Sequence, residues 1–275
     1  MIQDLSVIVP VHKFNNTIEE LLLDAVDSVV KQKEQPAYIL FVGPNNDELG
    51  DFILDKVKKV LEPTEIKPLF IVNDGELDFC NQVNLAVNNC PTNWFSILEF
   101  DDLYTDIWFK NFNVYRHYHD NVGIFLPLAN IITMEGRTLG MTNQQPWAKD
   151  FSGEIGYIDL ESLMTYYDYN VTGSLINKEI FLELGGLKPS LKISFWYEFL
   201  LRMVYNGNKI FIIPKVGYVH TLDREDSLFR HYQEEIPQEV ASKWIKLAQQ
   251  EYFFKHDRNK DPLKDMATEV PEELQ

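Results

Sequence analysis

The chain has 275 residues, of which 45% are hydrophobic, enough for the core of one large domain with small appendages. Its formal net charge of −17 excludes the basic surface that binding to nucleic acid or anionic lipid requires. The two cysteines lack metal or redox spacing, and the N-terminus carries neither a leader nor a membrane span, so a cytoplasmic protein is expected.

The first third of the chain alternates short β-branched runs with helical periodicity. This pattern is typical of βαβ units that build a parallel sheet. The buried strands are predicted at residues 5–11, 38–42, 69–72 and 94–98. The acidic run Glu99-Phe100-Asp101-Asp102 follows the fourth strand, at the sheet edge where open α/β sheets bind their ligands.

The strict alternation weakens after this acidic run. A helix is predicted near 107–119 and an amphipathic helix over 194–205. The strands predicted in this half lie at 123–128, 171–176, 209–213 and 216–219. A packed helix is expected within 233–257 because apolar residues recur there at helical spacing. Residues 258–275 are polar and acidic, which favours a peripheral tail.

Four short motifs follow one another along the chain. The first strand leads into Pro10-Val11-His12, and Asn84 precedes the strand that ends in Glu99-Phe100-Asp101-Asp102. Gly185-Gly186-Leu187 comes before a helix with Leu201-Arg202, and His220 follows on a later loop. Together these motifs resemble the family 2 glycosyltransferases over residues 5–227. The resemblance implies an α/β fold of the GT-A type, a Rossmann-like mixed sheet with helices on both faces.

The resemblance also implies a domain organisation. A GT-A domain would occupy residues 1–232, with a nucleotide-binding half at 1–102 and an acceptor half at 103–232. The C-terminal helix at 233–257 and the acidic tail at 258–275 would follow it. No pattern in the sequence sets an oligomeric state.

The implied site residues surround the nucleotide donor. Asp101 is the favoured metal ligand, Asp102 turns towards the same ion, and His220 completes the metal or phosphate site from a covering loop. The residues expected at the nucleotide are Pro10, Val11, His12, Asn45, Asn84 and Glu99. Carboxylates of this kind suit Mn²⁺ or Mg²⁺, which neutralise the departing diphosphate. The alternatives are a solvated acidic strand end and a hydrogen-bonded loop histidine.

Two departures from the family pattern concern the donor and the base. The Asp pair expected after the second strand is replaced by Gly43-Pro44-Asn45-Asn46, which leaves the donor nucleotide open. The acidic base expected before Leu201-Arg202 is replaced by Phe195-Trp196. Glu198 is the first candidate base, with Asp168 and Asp226 behind it. Alternatively, Glu198 pairs with Arg202, because residues four apart meet on a helix.

The predicted function is a metal-dependent, inverting glycosyltransferase. It would move a sugar from a nucleotide-diphosphate donor, with a UDP-sugar expected, to a glycan or other hydroxyl acceptor. The alternative is a GT-A scaffold that has lost catalysis and binds a nucleotide, a sugar or a protein. A dinucleotide-dependent oxidoreductase is disfavoured because no Gly-x-Gly-x-x-Gly follows the first strand.

Overall fold

The computed structural model describes residues 1–222, 238–250 and 254–255. Within these ranges ten strands form one mixed sheet. The strands are β1 (Ile2–Pro10), β2 (Pro36–Gly43), β3 (Lys67–Val72), β4 (Trp94–Ile97), β5 (Leu103–Tyr104), β6 (Val122–Ile132), β7 (Thr138–Thr142), β8 (Tyr157–Ile158), β9 (Leu175–Asn177) and β10 (Lys209–Thr221).

Helices connect these strands and cover the sheet. The α-helices are α1 (Asn16–Val30), α2 (Asp47–Phe52), α3 (Lys58–Leu61), α4 (Phe79–Asn88), α5 (Trp108–Tyr115), α6 (Leu160–Thr165), α7 (Lys178–Glu183), α8 (Phe195–Tyr205) and α9 (Gln238–Ala248). A π-helical turn at Ile53–Val57 joins α2 to α3, and 3-10 turns lie at Gln145–Trp147 and Pro189–Ser194.

The first four strands are parallel and run in the spatial order β3-β2-β1-β4. Ile8 of β1 lies opposite Leu40 of β2 and Ile97 of β4. Residues 5–10 of β1 are all buried, because helices cover the sheet on both faces. Alternate side chains of β1 therefore enter two cores, Ile8 on the side of α4 and α8, and Val7 on the side of α1 and α5.

The second half extends the same sheet with antiparallel and parallel pairs. β9 lies antiparallel between β4 and β6, and β10 runs parallel to β6 and antiparallel to β5. The two strands predicted at 209–213 and 216–219 are one strand, β10, whose register shifts between Ile212 and Val216. Pro214 is tolerated there because a bulge removes the need for its missing N–H.

The C-terminal helix predicted within 233–257 is seen as α9. Its Trp244 and Ala248 are buried in the core beside α8. Just beyond α9, the Gln249 side chain donates a hydrogen bond of 2.9 Å to the Tyr197 hydroxyl. The tail predicted at 258–275 lies outside the described residues. Among the helices in the described ranges, none has the length and apolar character needed to cross a membrane.

Candidate functional site

The carboxyl ends of β1, β2 and β4 meet at one edge of the sheet. The Val11 N–H donates to the Val42 carbonyl at 2.8 Å, and the Leu98 N–H donates to the Ile8 carbonyl at 2.9 Å. A Cβ atom on Gly43 would lie 2.8 Å from the Val11 carbonyl oxygen, so this approach of β1 and β2 requires glycine. The loops after the three strands are thereby held side by side.

The four residues Glu99-Phe100-Asp101-Asp102 form an acidic turn after β4, and hydrogen bonds link this turn to the end of β10. Short β5, at the end of this turn, pairs with β10 so that Tyr104 lies opposite Tyr218. The Glu99 N–H donates to the Tyr218 hydroxyl at 3.2 Å. The Asp102 carboxylate accepts from the Thr221 N–H at 2.8 Å and lies 2.9 Å from Nδ1 of His220. Three hydrogen bonds therefore link the turn to β10.

A possible metal group results from this arrangement. One oxygen of Glu99, one oxygen of Asp102 and one nitrogen of His220 lie within 4.8 Å of one another. Asp102 is buried, whereas Glu99 and His220 are half-buried. Two carboxylates and one imidazole form a donor set that fits Mn²⁺. Asp101, the ligand favoured from the sequence, is half-buried and is not a member of this group.

The charges of the acidic turn control the ionisation of His220. Burial lowers the pKa of His220, but the charge and the hydrogen bond of Asp102, with the charges of Glu99 and Asp101, outweigh burial and raise the pKa to about 9. Burial also raises the pKa of Tyr218 well above its usual value. The metal-free protein therefore carries a protonated His220 at neutral pH.

The residues predicted for the nucleotide base lie in three different environments. Pro10 and Val11 are buried, as expected of residues that fill the core. The ring of half-buried His12 lies 5.4 Å from the ring of Phe100, which places His12 beside the acidic turn. Asn45 is exposed at the start of the loop after β2. The structure thus brings His12 to the acidic turn and leaves Pro10 and Val11 behind it.

Asn84 occupies a position that does not fit its predicted contact with the nucleotide. Its amide nitrogen donates to the Leu187 carbonyl at 2.8 Å, and its oxygen accepts from the Leu187 N–H at 2.9 Å. A Cβ atom on Gly186 would lie 2.5 Å from that oxygen, so the glycine permits the contact. Asn84 therefore ties α4 to the Gly185-Gly186 turn with both polar atoms of its side chain.

The prediction that Glu198 is the general base does not fit its environment. The side chain is completely buried, and one oxygen lies 2.9 Å from both Lys188 Nζ and Arg202 Nε. The other oxygen lies 2.8 Å from Arg202 Nη2. A fully buried carboxylate whose two oxygens both contact cations is closed to an acceptor hydroxyl. The alternative, pairing with Arg202 at helical spacing, is confirmed.

The same buried network holds the Gly-Gly turn. Arg202 donates to the carbonyls of Leu184 and Gly186, the second at 2.8 Å. Phe195 and Trp196, which replace the family's acid, instead pack with Phe79 at the start of α4. The region around α8 therefore has the composition of a core.

Asp168, the second candidate base, lies on the segment that leads to Gly173 at the carboxyl end of β4. It is exposed and lies five positions before Gly173, whose N–H donates to the Ile97 carbonyl at the end of β4 at 2.9 Å. Gly173 has a positive φ of 78°, and a Cβ there would lie 2.3 Å from the Tyr218 ring. Gly173, at the end of this segment, thus packs against Tyr218. Asp226 lies outside the described residues.

Sequence reasoning missed three residues that shape these clusters: Lys188, Tyr218 and Thr221. Lys188 lies before α8, outside the helix that carries Glu198, so no helical period links the two residues. Tyr218 could have been predicted from the sequence, because residues two apart in a strand share a face and His220 was already a candidate. Thr221 contacts Asp102 through its backbone N–H, and a backbone contact cannot be predicted from the type of side chain.

The sheet order, the helices on both faces and the acidic turn after β4 define a fold of the GT-A type. Solved GT-A glycosyltransferases share this architecture. Staphylococcus aureus TarS 1–349 in complex with UDP-GlcNAc is 15% identical, with a TM-score of 0.61 over 98% of this chain and 77% of that one. GalNAc-T7 with UDP, GalNAc and Mn²⁺ is 16% identical, with a TM-score of 0.59 over 98% of this chain and 56% of that one.

These likenesses concern the fold. The chain spans 60% of another structure of TarS 1–349 and 50% of a longer TarS chain, at 17% and 16% identity and a TM-score of 0.59 in both cases. Neither a protein-family model nor a curated protein sequence matches the chain. Activity therefore has to be argued from the site.

Proposed function

We propose that this chain is a metal-dependent glycosyltransferase that moves a sugar from a UDP-sugar to a hydroxyl of a glycan or similar acceptor, with inversion. The observation that carries the proposal is the group formed by Glu99, Asp102 and His220 at the carboxyl end of β4. Support comes from the solved relatives, since TarS was solved with UDP-GlcNAc and GalNAc-T7 with UDP and Mn²⁺.

A cation is needed because the donor and the chain are both strongly negative. The formal charge of −17 opposes the approach of a nucleotide diphosphate unless local positive charge offsets it. Glu99 and His220, with Asp102 behind them, are the residues that would hold Mn²⁺ or Mg²⁺. When bound, the ion neutralises the charge that develops on the departing diphosphate.

The reaction exchanges one bond at the anomeric carbon for another. The acceptor oxygen bonds to that carbon, and the bond to the diphosphate breaks with its electron pair leaving on the nucleoside diphosphate. The acceptor's proton must pass to a base during this step. Since Glu198 is enclosed by cations, we assign this role to Asp168, which is exposed on the segment that leads to Gly173.

A donor screen tests the proposal. Wild-type protein is incubated with Mn²⁺, several UDP-sugars and a panel of hydroxyl acceptors, and released UDP is measured. We expect release with at least one donor and a decrease of about 10²- to 10⁴-fold in Asp168→Asn. Glu161→Gln, at an exposed position of α6, is the matched control and should react like the wild type.

Two results would overturn parts of this account. UDP binding without release across the whole screen would favour a scaffold that recognises a nucleotide without catalysis. Full activity in Asp168→Asn would transfer the role of base to another residue and leave the transferase assignment intact.

A further inference from the structure

The three members of the metal group are not equivalent in their surroundings. The side chain of Asp102 is 1% exposed, whereas that of His220 is 26% exposed. Both oxygens of Asp102 already have partners within the chain, Thr221 N–H on Oδ1 and His220 on Oδ2. Glu99 is half-buried and lies on the same turn. Asp102 is therefore the member that lies deepest, and both of its oxygens are engaged.

The contact between Asp102 and His220 fixes how the imidazole is used. An ionised carboxylate only accepts hydrogen bonds, so Nδ1 of His220 carries the proton that faces Asp102. The second nitrogen, Nε2, lies on the opposite side of the ring and is the atom left to bind a metal. Histidine ligands are commonly oriented by a carboxylate in this way.

We infer that Asp102 is a positioning residue that orients His220 towards the ion and is not itself a ligand. The inference rests on the proposed function, because it concerns the same metal site. It divides the metal group into a ligand face, formed by Glu99 and His220, and a buried support formed by Asp102 with the end of β10.

The substitution Asp102→Asn would change the hydrogen bond that orients His220. The Thr221 N–H needs an oxygen, so the amide oxygen of Asp102→Asn stays with Thr221 and its NH₂ group faces His220. Nδ1 must then accept a hydrogen bond, and the proton of the neutral ring moves to Nε2. A protonated Nε2 has no lone pair for a metal, so the substitution acts on the ion through His220.

A double-mutant cycle on Mn²⁺ affinity distinguishes a support from a ligand. Mn²⁺ is titrated into each protein, alone and with UDP, and free Mn²⁺ is measured by electron paramagnetic resonance. Asp102→Asn should weaken Mn²⁺ binding about 10- to 100-fold in the wild-type background. In the His220→Ala background the same change should have almost no further effect, because its target has been removed.

Glu99→Gln is the matched control, since a direct ligand should weaken Mn²⁺ binding in both backgrounds. Equal weakening by Asp102→Asn in both backgrounds would show that Asp102 is a ligand and would overturn the inference. Unchanged affinity in Asp102→Asn would overturn it as well. Thermal unfolding checks each variant, and Asp102→Ser, which keeps an oxygen for Thr221, replaces Asp102→Asn if that variant does not fold.

The wild-type titrations separate this inference from the proposed function. Absence of Mn²⁺ binding, alone and with UDP, would overturn both. Mn²⁺ binding that follows the expected cycle but is accompanied by no UDP binding would overturn the UDP-sugar donor and leave the positioning role of Asp102 standing.

Discussion

Two clusters in this molecule combine a buried carboxylate with cationic side chains, and they differ in what surrounds them. At the carboxyl edge of the sheet, Asp102 is buried but its partner His220 is partly exposed beside half-buried Glu99. Behind α8, Glu198 and both of its partners, Lys188 and Arg202, are buried together. The first cluster presents polar atoms to a ligand, and the second encloses them within the scaffold.

The difference teaches that an acid in a family motif does not by itself indicate catalysis. Glu198 lies two residues from the position where the resemblance to family 2 glycosyltransferases predicts a base, yet its carboxylate holds Arg202 and, through it, the Gly185-Gly186 turn. Only the exposure of the partners separates a chemical site from an ion pair of the core. Three measurements test this distinction.

The largest effect is expected at the enclosed cluster. Glu198→Gln leaves Lys188 and Arg202 buried without their anion and should lower the free energy of unfolding by about 3–5 kcal/mol, measured by urea denaturation. Asp27→Asn is the matched control, because the Lys31–Asp27 pair is exposed and its loss should leave the free energy of unfolding close to that of the wild type.

A stable Glu198→Gln protein that binds UDP but transfers no sugar would contradict the distinction. Such a result would restore Glu198 as the base and remove it from the scaffold. A large loss of stability would instead explain any loss of activity without a catalytic role.

Much of the fold follows from the sequence because the central strands are continuous apolar runs. β1, β2, β4 and α8 lie close to their predicted positions, since their burial leaves a clear signal in the residue types. β3 also lies near its predicted position, although it is an edge strand of exposed and half-buried residues. The short strands β5, β7 and β8 were missed, because two to five residues carry little pattern of their own.

The candidate site was predicted less completely because its contacts are remote in the chain. The acidic turn and His220 were identified, but the hydrogen bond between Asp102 and His220 joins residues 118 positions apart. No local period reveals which of the acids will meet a distant strand. The enclosure of Glu198 depends in the same way on Lys188, which belongs to the turn before α8.

A smaller effect on stability is expected at His119, a second histidine whose pKa shifts in the opposite direction to that of His220. His220 faces a carboxylate and its pKa is raised, whereas His119 stacks on Phe211 at 3.9 Å, lies 2.8 Å from the Tyr157 hydroxyl, and has its pKa lowered by burial. A lowered pKa means that the unfolded chain binds the proton more readily. The contribution of His119 to the free energy of unfolding is therefore fully present above about pH 6.5 and decreases as the pH falls below that value.

Thermal unfolding of wild type and His119→Phe between pH 7.5 and 5.5 measures this contribution. The phenyl ring keeps the stacking on Phe211 but does not titrate, so the variant should lose less stability on acidification than the wild type. Parallel pH profiles for the two proteins would contradict this prediction, because they would show that folding does not lower the pKa of His119.

The central claim is that the acidic turn and the end of β10 form a metal-assisted nucleotide site. Calorimetry with UDP in the presence and absence of Mn²⁺ tests it most directly, with Glu99→Ala as the variant. The account predicts UDP binding that requires Mn²⁺ and is lost in Glu99→Ala, while the thermal midpoint of the variant stays near that of the wild type. Equal UDP affinity with a chelator in place of Mn²⁺ would contradict it.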